Sequence, residues 1–512
     1  MKANKKRKIL GFYTIFLLII TSILGINYSI NKLDVGKFLA TSKVNVKPAF
    51  NEKIFTYLIS NCKQENFSEL ASKIDLPKAT ISYPYIQISN YKNLIQKQNY
   101  VLVCAPNSIS KFKLVNQNLD ETIYKFTDSL ILDPNLTTKY DSSIVLRDAL
   151  GTPFWWLSTK SPIIREKNYN FLSDPKLINK NQILFYASKD PLRGYSDGEY
   201  LVYDLNEHKI IKSYFGIKDK DGNGNIDQHD LIVKPDGTAI GMRYVLREDF
   251  DLTGIGIKKG TPVLNGEIVV LNSDGSQDKT ISLMSLLNEK EIDLGILKFY
   301  GVNAPPYDLI HPNSLELDGD SVIVSSRNID AIHKINLVTG KVVWRLGGNS
   351  STKLDLRIEN EYGLNKNINN LNRFTNIISS QHDARITSQN TLTIFDNGTY
   401  ANRNPRFIEL KINENELKAD VIAVRASTFQ DRSNCCGSAR KLNSNGILVN
   451  WGGDFRFNLN IPSVISTIDE NNVESNILLN PIGLITYRAV PLQLTTDQIN
   501  LFIDDLRIQN KG

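Results

Sequence analysis

Residues 311–327 read HPNSLELDGDSVIVSSR, and this stretch decides the fold. Two β-rich runs, SLEL and SVIV, flank an Asp-Gly turn signal, which is typical of a β-hairpin. Similar hairpins occur elsewhere as HDLIVKPDGTAIGMRY (229–244), QHDARITSQNTLTIFDN (381–397) and GSARKLNSNGILVNWGG (437–453). Recurrence of one hairpin type along the chain indicates a repeat architecture.

A second hairpin type alternates with the first. It reads YLVYDLNEHKIIKSY (200–214), EIVVLNSDGSQDKTISL (267–283) and AIHKINLVTGKVVWRL (331–346). One hairpin of each type makes a four-stranded unit, and such units recur along the sequence as the blades of a β-propeller do. We therefore predict an all-β fold with a propeller over residues 136–492, which has room for five or six blades. The first strand of each blade would line a central channel.

Composition and charge exclude several classes of protein and of partner. Of its 512 residues, 41% are hydrophobic and 22% are charged, which excludes wholesale disorder and a multi-span membrane protein. The formal net charge is +6, but residues 1–8 (MKANKKRK) hold five basic side chains. The rest of the chain is almost neutral, so we expect no nucleic-acid partner.

An uncharged segment of 23 residues, 9–31, follows the basic start. As a helix it would be about 34 Å long, enough to cross a bilayer once. We predict a transmembrane signal anchor here, with residues 1–8 as a cytoplasmic tail. A cleaved signal peptide is the alternative. Both interpretations place the body of the protein outside the cytoplasm, in the periplasm or on the cell surface.

Residues 32–135 are predicted to form a membrane-proximal tether and a small β-sandwich-like domain. The strand candidates are ATISYPYIQI, NYVLVCA and SKFKLV. Cys62 and Cys104 lie in this region and could pair, since an oxidising compartment permits disulfides. The other cysteines, Cys435 and Cys436, are adjacent, and a bridge between neighbours is strained. The sequence leaves the connectivity open.

The last segment, residues 493–512, carries a helix signal. Thr495 can act as N-cap, and Gln498 three residues later completes a capping box. The apolar residues fall on one face of this helix: Ile499, Phe502, Ile503 and Leu506. We expect that face to pack against the propeller or the sandwich.

Histidine placement gives the clearest chemical signal. The chain has only five histidines, and three of them, His229, His311 and His382, stand at the start of the same hairpin type. Equivalent positions in a propeller converge at one end of the channel. Arg327 ends the strand VIVSSR and can direct a guanidinium toward the same place. We interpret His208, in a turn, and His333, in an outer strand, as structural.

These motifs together resemble the bacterial arylsulfotransferases of the sulfate-ester-dependent type. The resemblance rests on HPNSLELDGDSVIVSSRN, TGKVVWRLGG, QHDARITSQNTLTIFDNG and GSARKLNSNGILVNWGG, and spans about residues 140 to 490. It implies a six-bladed propeller, often preceded by a β-sandwich, that works outside the cytoplasm without a nucleotide sulfate donor. The family's disulfide lies just before the nucleophilic histidine, whereas the adjacent cysteines here follow His382.

By this resemblance, His382 would be a nucleophile that takes a sulfuryl group from an aryl sulfate and passes it to a phenol through a sulfohistidine. His311, Arg327 and His229 would bind the sulfuryl oxygens or assist proton transfer. Catalysis would need no cofactor. The alternative is a non-catalytic propeller that serves as a binding or adhesion module. A homodimer is compatible with either interpretation.

Several polar residues near these motifs are candidates for substrate contact or for bracing hydrogen bonds within the hairpins. They are Asn313, Asp383, Asp396 and Asn397.

A calcium-loop pattern, DKDGNGNIDQHD, covers residues 219–230. Oxygen-bearing side chains stand at the ligand positions of the loop, with aspartate in place of glutamate at position 12. These predicted ligands are Asp219, Asp221, Asn223, Asn225, Asp227 and Asp230. An Asp/Asn/Gly-rich turn is the alternative. A bound Ca²⁺ would be structural and would support the loop that carries His229.

Overall fold

The structure is a computed structural model. The structure describes residues 55–60, 79–82, 85–88, 100–105, 124–131, 141–147, 153–159, 161–189, 198–287, 291–292, 294–299, 304–348, 352–360, 364, 377–387, 390–427, 432–443, 446–453, 463–471, 474–479 and 484–509. These residues form an all-β protein with few helices.

The described part of the N-terminal region is one mixed four-stranded sheet. Its strands are β1 Phe55–Ser60, β2 Ala79–Ser82, β3 Tyr85–Ile88 and β4 Tyr100–Ala105. Their order is β1-β4-β3-β2, with β1 and β4 parallel. A sandwich needs a second sheet, so the sandwich remains a prediction. The predicted anchor, residues 9–31, lies outside the described residues, and among those described no helix has the length and apolarity to cross a membrane.

Six blades of mainly antiparallel strands follow, within the five or six that the repeats allow and equal to the number that the resemblance implies. Blade 1 contains β5 Tyr124–Ile131, β6 Asp141–Arg147 and β7 Pro153–Ser158. Blade 2 contains β8 Phe171–Leu177, β9 Gln182–Ser188, β10 Glu199–Asp204 and β11 Lys209–Tyr214. Blade 3 contains β12 Leu231–Val233, β13 Ala239–Arg247, β14 Val263–Leu271 and β15 Gln277–Ser282, with β16 Tyr307–Asp308 pairing in parallel with β14.

Blades 4 to 6 repeat the pattern. Blade 4 contains β17 Pro312–Asp318, β18 Ser321–Ser326, β19 Ala331–Asn336 and β20 Val342–Gly347. A fifth strand, β21 Arg357–Asn360, joins the outer edge of blade 5, which contains β22 His382–Ile386, β23 Thr391–Asp396, β24 Arg406–Asn413 and β25 Lys418–Ala426. Blade 6 contains β26 Ser438–Lys441, β27 Ile447–Asn450, β28 Val464–Ile468 and β29 Glu474–Leu479.

The hairpin that opened the sequence argument shows why the blades form. Asp318 pairs with Ser321 across a two-residue turn in which Gly319 has a φ of 59°, a conformation that glycine adopts readily. Val322 and Val324 are buried beside side chains of blade 3, such as Met242. Neighbouring blades therefore bury each other's faces, which a single blade cannot do alone.

Both ends of the propeller segment close the ring. Two C-terminal strands, β30 Leu484–Ile485 and β31 Ala489–Leu492, pair with β5 and complete blade 1. The propeller therefore includes residues 124–131, which precede the expected boundary at residue 136. This closure brings residues 487 and 488 to the inner end of the blade, next to the candidate site described below.

The described helices are short except the last. They are α1 Pro162–Arg165, α2 Leu294–Phe299 and α3 Thr496–Gln509, with 3-10 turns at Thr253–Ile255, Met284–Leu286 and Arg327–Ile329.

The predicted capping box of α3 is confirmed. The Thr495 N–H donates to Gln498 Oε1 over 3.1 Å, and the Gln498 N–H donates to Thr495 Oγ1 over 3.3 Å. Phe502 packs edge-to-face on Trp155 of blade 1, with ring centroids 5.3 Å apart. The helix is thus part of the propeller's outer packing.

A buried carboxylate also fixes α3. Asp505 accepts hydrogen bonds from Trp155 Nε1 at 2.8 Å and from the Tyr203 hydroxyl at 2.6 Å. His208 Nδ1 lies 2.7 Å from the same carboxylate. These contacts join the helix to blades 1 and 2 and give His208 a structural role, as expected.

Candidate functional site

Three histidines stand at the start of the innermost strands of three successive blades. His229 precedes β12, His311 precedes β17 and His382 begins β22, and all three side chains are buried. The ring centroids of His229 and His311 are 5.0 Å apart. The ring of Tyr487 bridges this pair to His382, with centroids 5.7 Å from His229 and 6.4 Å from His382.

Arg327 belongs to the same cluster. Its backbone N–H donates to the His311 carbonyl at 2.9 Å, and its Nε donates to Asn328 Oδ1 at 3.0 Å. Its charge is among the causes that lower the pKa of His382. The four residues expected to carry the chemistry are therefore brought together, near the starts of the inner strands of blades 3 to 5.

Two of the histidines are backed by carboxylates. The Nδ1 of His229 contacts Asp227 Oδ1, and the Nδ1 of His311 contacts Asp308 Oδ2. The same aspartates accept the backbone N–H groups of these histidines, at 2.9 Å and 3.0 Å. A carboxylate on Nδ1 orients an imidazole and stabilises its protonated form. Nε2 is then the nitrogen that can give or take a proton.

Asp308 stands out electrostatically. Burial raises its pKa to about 6, against the lowering effect of Arg327 and His229. His311 itself has a φ of 54°, in the left-handed region that few non-glycine residues adopt. Such backbone strain persists where surrounding contacts hold a side chain in a required direction.

His382 is backed by a neutral amide instead. Its Nδ1 lies 2.7 Å from Asn397 Oδ1 and 3.2 Å from the Ser380 carbonyl. The Asn397 Nδ2 donates to Ser433 Oγ at 2.9 Å and to the Cys436 carbonyl at 3.0 Å. Because a carbonyl can only accept, Nδ2 must face Cys436 and Oδ1 must face the histidine.

The tautomer of His382 follows from this network. Both neighbours of Nδ1 are acceptors, so Nδ1 carries the proton and Nε2 keeps its lone pair. Burial, followed by the charge of Arg327, holds the pKa of His382 well below its usual range. His382 is therefore a neutral imidazole with a nucleophilic Nε2, whereas the Nδ1 atoms of His229 and His311 contact carboxylates.

The sequence left two roles open for Asp383, Asp396 and Asn397: substrate contact, or hydrogen bonds that brace the hairpins. In the structure all three make bracing contacts. Asp383 contacts Arg440 through both oxygens at 2.6 Å. Asp396 accepts the Ser379 N–H at 2.9 Å and Arg406 Nε at 2.8 Å.

Asn313 differs from these three. Its Nδ2 donates to the Gln381 carbonyl at 2.7 Å, while its buried Oδ1 has no hydrogen-bond partner within the part of the chain that the structure describes. Substrate contact by Asn313 remains a prediction.

The residues of the calcium-loop pattern have separate partners. Asp219 accepts backbone N–H groups of Asp221 and Asn223, at 2.9 Å and 2.8 Å. Asn225 Oδ1 accepts the Ile217 N–H at 2.9 Å. The pattern's last two acids are engaged elsewhere: Asp227 with His229, and Asp230 with Lys176, Arg385 and the Leu315 N–H. Among the described residues no group of three His, Cys, Asp or Glu side chains could hold a metal ion. Calcium binding remains a prediction.

Cys435 and Cys436 form a disulfide, although they are neighbours. Through its carbonyl, Cys436 belongs to the network that fixes Asn397 and, through it, His382. The predicted Cys62–Cys104 pair lies outside the residues whose side chains are described.

His333 and the tryptophans have the structural roles that were expected. Burial, and then Arg345, lower the pKa of His333 to about 3, so it is a neutral core residue. All four tryptophans are fully buried: Trp155, Trp156, Trp344 and Trp451.

Sequence reasoning missed the carboxylate partners of the histidines. Asp227 was interpreted as a metal ligand, and Asp308 was not singled out. A local signal existed, because DQH (227–229) and DLIH (308–311) place an aspartate two or three residues before a histidine, whereas SSQH (379–382) does not. The contacts of Tyr487 with the histidines depend on ring closure and have no local signal.

The fold and the site together define the class: the chain is a six-bladed β-propeller protein with a cluster of histidines and one arginine near the starts of its inner strands. Residues 115–480 match the family model described as Arylsulfotransferase (ASST), and the chain belongs to this family. Membership supports aryl sulfotransferase activity in general, with aryl sulfates and phenols as the implied substrates. No curated protein matches the chain.

Solved structures with low similarity to this chain were also found. One is the periplasmic gluconolactonase PpgL of Pseudomonas aeruginosa, at 8% identity and a TM-score of 0.37, covering 72% of this chain and all of that one. Another is Hsv2 of Kluyveromyces lactis, at 13% identity and a TM-score of 0.32, covering 67% of this chain and 94% of that one.

Proposed function

We propose that this protein transfers a sulfuryl group from an aryl sulfate ester to a phenol in two steps, through a sulfohistidine at His382. The observation that supports this most directly is the difference between the Nδ1 partners. Two imidazoles face carboxylates and one faces an amide. A double displacement needs one neutral nucleophile and at least one proton donor, and this arrangement supplies both.

In the first step, the lone pair of His382 Nε2 attacks sulfur and the bond from sulfur to the aryl oxygen breaks. The departing oxygen takes a proton from the imidazolium of His311 or His229 and leaves as a phenol. The proton on His382 Nδ1 stays in place and remains hydrogen-bonded to Asn397 Oδ1. The sulfated imidazole ring is therefore cationic, and its positive charge offsets the negative charge of the sulfo group. Charge and protons therefore balance without a cofactor.

In the second step, the acceptor phenol gives its proton to the imidazole that was deprotonated in the first. Its oxygen attacks sulfur, the nitrogen–sulfur bond breaks and His382 returns to its neutral form. The same acid–base group thus serves both half-reactions. Since one group must begin protonated and the nucleophile must begin neutral, activity should be bell-shaped in pH.

Arg327 would act on the sulfuryl oxygens. Its guanidinium is a cation close enough to act on both groups: it adds to the lowering of the His382 pKa by burial, and it partly offsets the rise that burial causes in the pKa of Asp308. Charge that develops on sulfuryl oxygens in the transition state is stabilised by such a preorganised donor, with an effect of about 100- to 1000-fold in rate for one donor.

The cellular setting belongs to the same proposal. Residues 9–31 would anchor the protein in a membrane, with residues 1–8 in the cytoplasm and the propeller outside it. Small aryl sulfates and phenols would be its partners, and a homodimer is compatible with the site.

The test uses the full chain, p-nitrophenyl sulfate as donor and a phenol as acceptor, and follows nitrophenolate release. We expect turnover by the native protein, none above background by His382→Ala, and turnover close to native by His208→Ala, which removes a histidine outside the site. Persistent release by His382→Ala would refute the nucleophile assignment. No release by the native protein across a broad panel of donors and acceptors would favour the non-catalytic binding module.

A further inference from the structure

The guanidinium of Arg488 lies at the centre of the charged network beside the histidines. Arg488 is 1% exposed and precedes β31, the strand that closes the ring. Its Nη1 donates to the His229 carbonyl at 2.6 Å and to Asp174 Oδ1 at 3.0 Å. Its Nη2 donates to the Asn313 carbonyl, and its Nε lies 3.2 Å from Asp383 Oδ1.

These contacts share a structural feature. In blades 2, 4 and 5 the pairing of the first two strands is irregular near the start of the inner strand. The irregular segments contain Asp174, Asn313 and Asp383, which are the residues in those blades that Arg488 contacts. Bulges of this kind redirect side chains at the ends of strands. One guanidinium therefore holds the irregular segments of three blades at once.

The contacts also relate directly to the three histidines. Arg488 donates to the carbonyl of His229 itself, to that of Asn313 two residues after His311, and pairs with Asp383 next to His382. Asp383 has a φ of 54°, so the backbone beside the nucleophile is in the left-handed region. A single side chain thus contacts, for every histidine in the site, either its own backbone or a residue within two positions of it.

The electrostatic surroundings suit this role. Burial opposes ionisation of Asp383 and Asp230, but Arg385, Arg488 and other cations nearby outweigh it and hold both carboxyl pKa values low. For Arg488, burial is outweighed by Tyr487, Asp230, Asp174 and Asp383, and its pKa stays well above the usual value. Asp383, Asp230 and Arg488 are therefore favoured in their charged forms, and hydrogen bonds between charged groups are stronger than those between neutral ones.

We propose that Arg488 is a positioning residue of the transfer reaction, which sets the distance from His382 to the His229–His311 pair. Arg488 acts through its contacts at the starts of the inner strands, and it does not touch the substrate. This inference rests on the proposed function. A displacement of about 1 Å between reacting groups can lower a rate by about 100-fold, so loss of this guanidinium should reduce kcat far more than it changes KM.

The activity test compares three full-length variants. We expect Arg488→Met to lower kcat about 100-fold with KM changed little. Arg488→Lys should recover only part of this loss, because a lysine keeps the positive charge but can replace only some of the guanidinium's contacts. The matched control is Arg345→Met, another buried arginine, which pairs with Glu291 and Asp355 away from the site. It should lose stability but keep its kcat. A kcat for Arg488→Lys and Arg488→Met equal to that of Arg345→Met would overturn the proposal.

A second measurement does not depend on activity. Five histidines give few enough signals for NMR of the protein with isotope-labelled imidazoles. Arg488→Lys should shift the signals of His229, His311 and His382 and leave those of His208 and His333 in place. Shifts at all five, or at none, would contradict a positioning role. If the native protein transfers no sulfuryl group, this measurement still decides whether Arg488 orders the histidines, so the two proposals can fail separately.

Discussion

Replacement of Asn397 by aspartate should make the nucleophile His382 easier to protonate. The change places a carboxylate where the amide oxygen now lies, 2.7 Å from His382 Nδ1. At an effective dielectric constant of about 20, opposite charges about 4 Å apart attract by about 4 kcal/mol, which corresponds to at most about 3 pKa units. We therefore expect the pKa of His382 to rise by about 1 to 3 units.

The sign of the effect on activity follows from the role of the neutral form. In the native protein the pKa of His382 is well below 6.5, so the nucleophile is neutral at pH 7. A raised pKa means that protonation removes the nucleophile at a higher pH. The acidic limb of the profile of kcat/KM against pH should therefore move up by about 1 to 3 units, so activity should be lost at acidic pH first and be kept on the alkaline side.

The assay is nitrophenolate release measured from pH 4 to 10. Asn336→Asp, the same chemical change in a turn of blade 4, is the matched control and should leave the profile in place. An acidic limb that stays at its native position in Asn397→Asp, or moves down, would show that the amide does not set the protonation state of His382.

Three further outcomes follow. His311→Gln should lower the rate with phenyl sulfate by about 100-fold or more but with p-nitrophenyl sulfate much less, because the better leaving group needs no proton; equal losses would exclude His311 as the acid. Asp505→Ala should lower the free energy of unfolding in urea by about 3 kcal/mol, since Trp155 and Tyr203 lose a buried acceptor, whereas exposed Asp504→Ala should change it by less than about 0.5 kcal/mol. If the loop at 219–230 binds Ca²⁺, the ion should raise the melting temperature, and Asp221→Asn should abolish the rise; equal melting with Ca²⁺ and with chelator would contradict binding.

Local patterns predicted much of the fold. The Asp-Gly turn at 318–319 and its counterparts identified the hairpins, and the capping box at Thr495 and Gln498 identified the last helix. Closure of the propeller could not be predicted from the sequence, since β5 pairs with residues more than 350 positions away. No local pattern indicates such a pairing, so the predicted start of the propeller, residue 136, falls after the first strand of blade 1.

The site was predicted in part for the same reason. Repeat position brought three histidines to one end of the channel, but their chemical differences depend on Nδ1 partners. Asp227 was visible in the sequence and fitted a calcium pattern equally well. Arg488 reaches the histidines only through the closing segment. The Cys435–Cys436 bridge was obscured because adjacency alone argued against it.

The most direct test of the account is capture of the intermediate. The full-length native protein is mixed with an aryl sulfate without acceptor, quenched in alkali, digested and analysed by mass spectrometry. We predict one added SO₃ group on the peptide that contains His382, lost when a phenol is added before the quench and absent from His382→Ala. Turnover with no adduct on His382, or an adduct on a different residue, would contradict the double displacement at this histidine.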